Sequence, residues 1–193
     1  MSTKERYFLP FVEKITLAKD TYELVFLPKK KIKYIPGQYM EWTLPHGAPD
    51  VRGIRRYFTV ASSPYEDTIR LGVKEAEKGS TFKQNLLALH EGEGVLATSV
   101  SGDFLLPDDP SKKLVFIAGG IGITPFVSML RTLLITHDKR DIVVFYSNKT
   151  EEEIAYKYVL EQAEEELGAT VVHVLSDIEK LASDWKGEKG FIT

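Results

Sequence analysis

The chain has 193 residues, enough for one ample domain or two small ones. Its formal net charge of −3 offers no electrostatic footprint for nucleic acid, and the lack of cysteine excludes disulfides, thiolate metal sites, cysteine-held iron–sulfur clusters and a catalytic thiol within these residues. No apolar run approaches the ~20 residues of a membrane-spanning helix, and MSTKERYFLP lacks the apolar core of a signal segment, so a cytoplasmic protein with no membrane span is expected.

Up to about residue 110, short alternating runs are broken by glycine and proline. TYELVF (21–26), QYMEWTL (38–44) and TIRLGVKE (68–75) read as half-buried strands; in the last, Ile69, Leu71 and Val73 alternate with Arg70, Gly72 and Lys74. PKKK (28–31) and LPHGAPD (44–50) read as turns or loops. Between them RRYFTVASSP (55–64) sets two arginines against a strand-like run. Arg56 suits a bidentate clamp on a phosphate. Tyr57 and Phe58 point to opposite faces of a strand, so one can meet a flat ring while the other enters the core. Thr59 offers a hydroxyl to a ring nitrogen. The bland alternative is an edge strand with a surface arginine.

One helix interrupts these strands. Ser80 or Thr81 caps FKQNLLALH (82–90), which ends in the turn-like EGEG. Many short strands with one helix predict a small antiparallel barrel. LPDDPSKK (106–113) is read as a linker, which divides the chain into residues 1–109 and 110–193.

Beyond the linker strands alternate with helices. KLVFIAGG (113–120) is a continuous apolar run, as for a strand buried on both faces. A helix follows over 124–137, with Thr124 as N-cap and Pro125 at its first position. DIVVFYSN (141–148) is the next strand. Thr150 and Glu153 form a capping-box pattern ahead of a long helix that Gly168 closes, and TVVHVLSD (170–177) is a third strand. The β-α-β-α-β order predicts a doubly wound parallel sheet. Its sharpest feature is AGGIGITPF (118–126), a glycine-rich strand-to-helix turn where backbone can approach a ligand and helix N–H groups can meet a pyrophosphate. It is not the G-x-G-x-x-G fingerprint, because Pro125 fills the third glycine position, and a tight turn without ligand is the alternative.

In order along the chain, these stretches resemble the ferredoxin–NADP reductase family of flavoproteins. Pro36-Gly37-Gln38 matches its P-G-Q strand. Arg56, Phe58, Thr59 and Ser62 match its R-x-[YF]-[ST]-x-x-S flavin motif. Gly79, Ser80 and Thr81 match its phosphate loop, and Gly119 to Pro125 match its G-G-x-G-x-T-P nucleotide motif. DWKGEKGFIT (184–193) looks like the W-x-G-x-x-G-x-I stretch after the third strand. The resemblance spans nearly the whole chain.

It implies an antiparallel six-stranded flavin-binding barrel over 1–109 and a truncated NAD(P)-binding α/β domain over 110–193. Arg56 would hold the flavin pyrophosphate with help from Gly79, Ser80 and Thr81. Tyr57 and Phe58 would border the flavin, Phe58 packing on it, and Thr59, the one catalytic assignment, would bond near the reactive N5. Val73 and Lys74, matching a V-[KR] element, would contact the phosphate and adenosine half, which favours FAD over FMN. Gly119, Gly120, Gly122, Thr124 and Pro125 would hold the nicotinamide dinucleotide. The implied activity is hydride transfer from NAD(P)H to the flavin and electron delivery to an acceptor protein or small molecule. The alternative is an electron-transfer module that does not itself oxidise NAD(P)H.

The match stops short at the end, where the family continues with a further helix, a strand and a C-G-P motif; a fragment or a missing tail is expected. Ser147, Asn148, Lys149 and Tyr156 offer partners to a 2′-phosphate, but Asp177 stands where phosphate-binding relatives carry arginine, which favours NADH. His46, His90, His137 and His173 lack metal-ligand spacing and read as surface or packing residues. Lys29 to Lys31 read as a turn and Glu164 to Glu166 as a solvated helix face. Trp42 is expected to pack in the barrel, and Tyr39 to pack there or line the flavin.

Overall fold

A computed structural model describes residues 5–192, the side chain of Ser99 excepted; the first four residues of the stretch read for a signal segment, and Thr193, lie outside it. Six strands form an antiparallel sheet: β1 (Arg6–Ala18), β2 (Thr21–Phe26), β3 (Tyr39–Thr43), β4 (Arg55–Thr59), β5 (Ile69–Lys74) and β6 (Gly94–Ser101), in the order β4-β3-β6-β1-β2-β5. Just beyond β4, Ala61 N donates to Arg70 O of β5 at 2.8 Å, so the two ends of the sheet meet and close the barrel. Trp42, Phe26, Leu24, Met40 and Leu71 fill its interior, and helix α1 (Thr81–Leu87) plugs it with Phe82 and Leu86. Ser80 is the N-cap, its Oγ accepting from Lys83 N at 3.3 Å.

β2 departs from the half-buried pattern. Thr21, Glu23, Leu24, Val25 and Phe26 are all buried, because the face turned from the barrel core lies beneath the second half of the chain. β5 shows the same effect at Gly72, whose missing side chain leaves room for Ile121 and Thr124.

Residues 114–192 build a parallel sheet in the order β10-β9-β8-β7, from β7 (Leu114–Gly119), β8 (Ile142–Asn148), β9 (Thr170–Leu175) and the two-residue β10 (Glu188–Lys189). Three of these strands are legible as patterns; β10 is too short for one. β7, β8 and β9 advance in one direction, so right-handed crossovers carry helices α2 (Thr124–Thr136) and α3 (Lys157–Gln162) to the same face. β7 therefore alternates rather than being buried on both faces: Leu114, Phe116 and Ala118 join the helices, while Val115 and Ile117 stay exposed on the other side.

Both helix starts differ from expectation. A 3-10 turn over Gly120–Ile123 enters α2, so Thr124 is its first helical residue rather than its cap, with Oγ1 donating to Ile121 O at 3.2 Å. Pro125 sits in the first turn as expected. Before α3 there is no capping box. Glu151–Glu153 form a 3-10 turn, Glu153 pairs with Lys74 of the barrel, and Ile154, Ala155 and Tyr156 are buried in succession. Burying three consecutive residues is incompatible with one helical stripe, and the helix begins only at Lys157. It continues as a π-helical turn, Ala163–Leu167, closed by Gly168 at φ +73. Among the described residues no helix is long and apolar enough to cross a membrane.

Candidate functional site

The pleat of β4 sorts the arginine–aromatic stretch onto two faces. Arg56 and Phe58 turn towards α1, where the Arg56 guanidinium lies 5.3 Å from the Phe82 ring and Phe58 stacks on Phe82 with centroids 6.0 Å apart. Tyr57 and Thr59 turn the other way and, with Tyr39, line an open cavity of about 380 Å³. Tyr39 and Tyr57 meet edge to face at 5.7 Å. Tyr57 donates to Glu41 at 2.9 Å, and that bond with the carboxylate's charge raises its pKa. Of the two aromatics, Tyr57 is the more exposed and borders this cavity, whereas Phe58 already has an aromatic partner.

Arg56 is held by its own chain. Nη1 donates to the carbonyls of Arg52 (2.9 Å), Gly53 (3.0 Å) and Arg55 (2.6 Å), and Nη2 donates to Asp50 at 3.1 Å. Asp50 also accepts from Arg52 N (2.8 Å) and Arg52 Nη2 (3.2 Å), while its own N–H donates to Thr81 Oγ1 at 3.0 Å. Against partial burial, which raises it, the bonds from Arg52 and the charges of Arg52 and Arg56 hold the Asp50 carboxyl below its ordinary pKa. His46 joins the same hydroxyl, its Nε2 lying 3.0 Å from Thr81 Oγ1, so it is a loop anchor rather than a free surface residue. Lys83 Nζ donates to Lys74 O at 3.1 Å, and burial, then Arg52, lowers its pKa. Arg52, Arg56 and Lys83 thus gather near Thr81, with Asp50 as the counter-charge of the two arginines, while Lys74 pairs with Glu153.

Three expected cofactor contacts have other work. Ser62 is fully buried; its Oγ bonds Tyr34 Oη (3.0 Å) and accepts from Arg70 N (3.2 Å), so it locks the turn after β4 instead of facing a ligand. Val73 turns its side chain into the barrel core, which leaves only its backbone for any contact. Lys74 is engaged by Glu153. Gly79 closes a tight turn, N–H to Ala76 O at 2.8 Å, ahead of Ser80.

The glycine-rich loop lies at the carboxyl end of β7. Gly120 takes φ +49, and Tyr146 Oη donates to its carbonyl at 3.1 Å. Burial pushes the Tyr146 pKa up to about 12, so it stays a donor. A side chain placed on Gly119, Gly120 or Gly122 would meet nothing, so this backbone faces open space. Next to it, at the ends of β8 and β9, a cavity of about 560 Å³ is lined by Lys19, Lys149, Thr150, Asp177 and Lys180, among others. Asp177 pairs with Lys180 at 2.9 Å. Tyr156 does not reach this cavity: it is buried on the barrel side of the sheet.

The two units that carry these clusters are joined because α2 is bolted to the barrel. Ser128 Oγ donates to Ser62 O (2.6 Å), Thr132 Oγ1 to Ser63 Oγ (2.9 Å) and Arg131 Nη1 to Ala61 O (3.4 Å). Arg131 also pairs with the fully buried Glu23 at 3.0 Å, and Arg70 meets the same carboxylate at 2.8 Å. Burial alone would lower the Arg131 pKa; the Glu23 charge overrides it and keeps the pKa raised. Sequence reading passed over this joint, although Ser128, Arg131 and Thr132 form a polar i, i+3, i+4 stripe on an otherwise apolar helix. Asp50 and His46 carried no such signal inside a loop.

A closed antiparallel barrel joined through a helix to a parallel α/β unit, with a glycine loop facing the junction, defines a two-part nucleotide-binding architecture. Residues 116–193 match the family described as oxidoreductase NAD-binding domain. The chain is 31% identical over 175 residues to the reductase subunit of an Amycolatopsis aromatic O-demethylase, covering 86% of this chain and 50% of that protein. The structure of the Amycolatopsis cytochrome P450 reductase GcoB superposes with TM-score 0.81 at 28% identity, over 99% of this chain and 56% of that one. Ferredoxin–NADP+ reductase from Plasmodium falciparum shares the fold at TM-score 0.76 and 20% identity, over 93% and 76%. In fold and in these matches the chain is similar to the ferredoxin–NADP reductase-like flavoproteins. It spans about half the length of curated relatives such as these, and less of others.

Proposed function

We propose that the chain is the flavin- and nicotinamide-binding portion of an FAD-dependent NAD(P)H oxidoreductase that passes electrons to a protein or small-molecule acceptor. The observation that carries this reading is that the barrel bearing the cationic, aromatic edge of β4 and α1 is joined, through α2 and the contact of Gly72 with Ile121 and Thr124, to the unit bearing the open glycine loop. Residues 1–109 are taken as the flavin-binding domain and 110–193 as the nicotinamide-binding domain, in a cytoplasmic protein.

The residues present fit a flavin dinucleotide. Arg52, Arg56, Lys74 and Lys83 carry more positive charge than Asp50 and Glu153 balance, which suits a diphosphate. Asp50, already bonded to Nη2 of Arg56, would compete with it for that guanidinium. Ser80 and Thr81 stand beside it, with Phe58 on the same face of β4. The cavity beneath Tyr39, Tyr57 and Thr59 offers a flat ring two aromatic walls and a hydroxyl, with Thr59 the residue assigned to the reactive edge. When bound, the flavin would supply the hydride acceptor and the single-electron chemistry. The protein's part is to hold the diphosphate, orient the ring and present the dinucleotide along Gly119, Gly120, Gly122, Thr124 and Pro125. Glu151, Glu152, Glu153 and Asp177 line the same cavity as Lys19, Lys149 and Lys180, so it holds no surplus of positive charge for a 2′-phosphate, and the slight preference for NADH over NADPH is kept.

Purified protein loaded with FAD tests this directly. Flavin absorbance should appear on loading and bleach anaerobically with NADH. Protein that takes up no flavin refutes the reading. Flavin that dithionite reduces but NADH does not would favour an electron-transfer module.

A further inference from the structure

Tyr156, fully buried ahead of α3, adopts φ +59, a left-handed conformation that bulky residues take only where their surroundings enforce it. Those surroundings lie across the junction. A Cβ placed on Gly72 of β5 would come within 2.6 Å of Tyr156 Oη, 2.6 Å of Thr124 Cγ2 and 2.9 Å of Ile121 Cδ1. Gly72 is therefore where the barrel touches Tyr156 and the glycine loop at once. The Arg131 guanidinium lies 5.8 Å from the Tyr156 ring, and Glu23 anchors that guanidinium from β2. The Tyr156 hydroxyl is buried with no partner in hydrogen-bonding geometry among the described residues. Its place is set by shape and by the Glu23 carboxylate that faces it.

We propose that Gly72 and Tyr156 form a steric seat that sets how closely the loop from Gly119 to Pro125 approaches the flavin-side barrel. Tyr156 is a positioning residue in this scheme, and the proposal rests on reading that loop as the nicotinamide side. At Gly72 even a methyl group must displace the loop, Tyr156 or both, while the diphosphate cluster beside Arg56 involves none of these atoms.

The test is Gly72→Ala in the full chain, followed by backbone hydrogen exchange and by NADH titration of the FAD-loaded protein. Exchange at Gly120 to Ile123 should quicken about tenfold or more, with β3 and β6 keeping their protection. The NADH concentration for half-maximal flavin reduction should rise about tenfold, with FAD affinity within about twofold of the parent. Adding Tyr156→Phe, which removes the hydroxyl from the crowded space, should restore part of both. Unchanged exchange at 120–123, or a double variant no better than the single one, overturns the proposal. If Gly72→Ala does not fold, Tyr156→Leu, which withdraws bulk from the same seat, should give the same loop readout. Failure of NADH to reduce flavin in the parent protein refutes the functional reading instead, and the exchange result still decides the seat.

Discussion

Replacing Arg56 with alanine is the most direct probe of the proposed flavin site. The guanidinium is mostly buried, and Asp50 occupies the end an incoming diphosphate would take. A charge-assisted hydrogen bond to phosphate contributes roughly 1.5–3 kcal/mol. Removing one such bond should weaken FAD binding by about 10- to 150-fold. Arg56→Lys keeps the charge but not the fork and should fall between. Asp50→Asn should act in the opposite sense and tighten binding, because it removes the anion that competes for Arg56. Titrating each variant with FAD and following flavin fluorescence measures these affinities, and high salt should narrow the differences. Arg56 also braces the loop through three carbonyls, so thermal unfolding must accompany the titration to separate loop disorder from the missing phosphate bond. An Arg56→Ala variant that binds FAD within about twofold of the parent would refute the diphosphate role. Weaker binding by Asp50→Asn would show that Asp50 aims Arg56 rather than competing for it.

Three further outcomes are expected. Glu23→Ala leaves Arg131 and Arg70 without their shared buried carboxylate, at a cost of about 3–5 kcal/mol; at roughly 2–4 °C per kcal/mol for a chain of this size, circular-dichroism melting should show a drop of at least about 6 °C, and an unchanged midpoint would refute the joint's importance. Gly120→Ala imposes a left-handed alanine without a clash and should destabilise by about 1–2 kcal/mol in urea unfolding; the NADH requirement should rise further than this predicts, since the new methyl enters the open side of the loop. Burial lowers the His173 pKa below its ordinary 6.5, so the unfolded chain takes up the proton first on acidification. Stability contributed by the neutral ring is present above pH 6.5 and is lost as the pH falls through the folded pKa, and His173→Gln should flatten the pH dependence of the melting midpoint in that window.

What the sequence disclosed follows from what each signal measures. Ile69, Leu71 and Val73 alternate because a barrel strand has one inward face, and that face was readable. Gly72 and Glu23 were not, because the other face of β2 and β5 is covered by α2 and Tyr156, a tertiary fact with no local period. The same limit applies to β7, where an unbroken apolar run reads as buried twice although helices cover only one side. Motif matching singled out Arg56 and the loop at 119–125 as candidates, since such signals depend on residue type at short spacing. It also assigned Ser62 to the cofactor, and only the bonds to Tyr34 and Arg70 reveal the residue as a turn lock. The capping pattern at Thr150 failed for a further reason: Glu153 had a better partner in Lys74, far away in sequence.

The junction also explains why polar residues accumulate on α2. A helix that carried only the glycine loop would need one apolar stripe towards its own sheet. α2 must serve two hosts, and its second face meets the buried carbonyls of Ala61 and Ser62 just after β4. Those carbonyls lie where the barrel closes, and Ser128 and Arg131 supply donors to them. Arg56 stands earlier on that same β4 strand, and one turn before Ser128 stands Thr124. One helix therefore fixes both the end of the glycine loop and the end of the arginine strand. A substitution in this polar stripe should disturb the spacing between the two clusters before it disturbs either cluster alone.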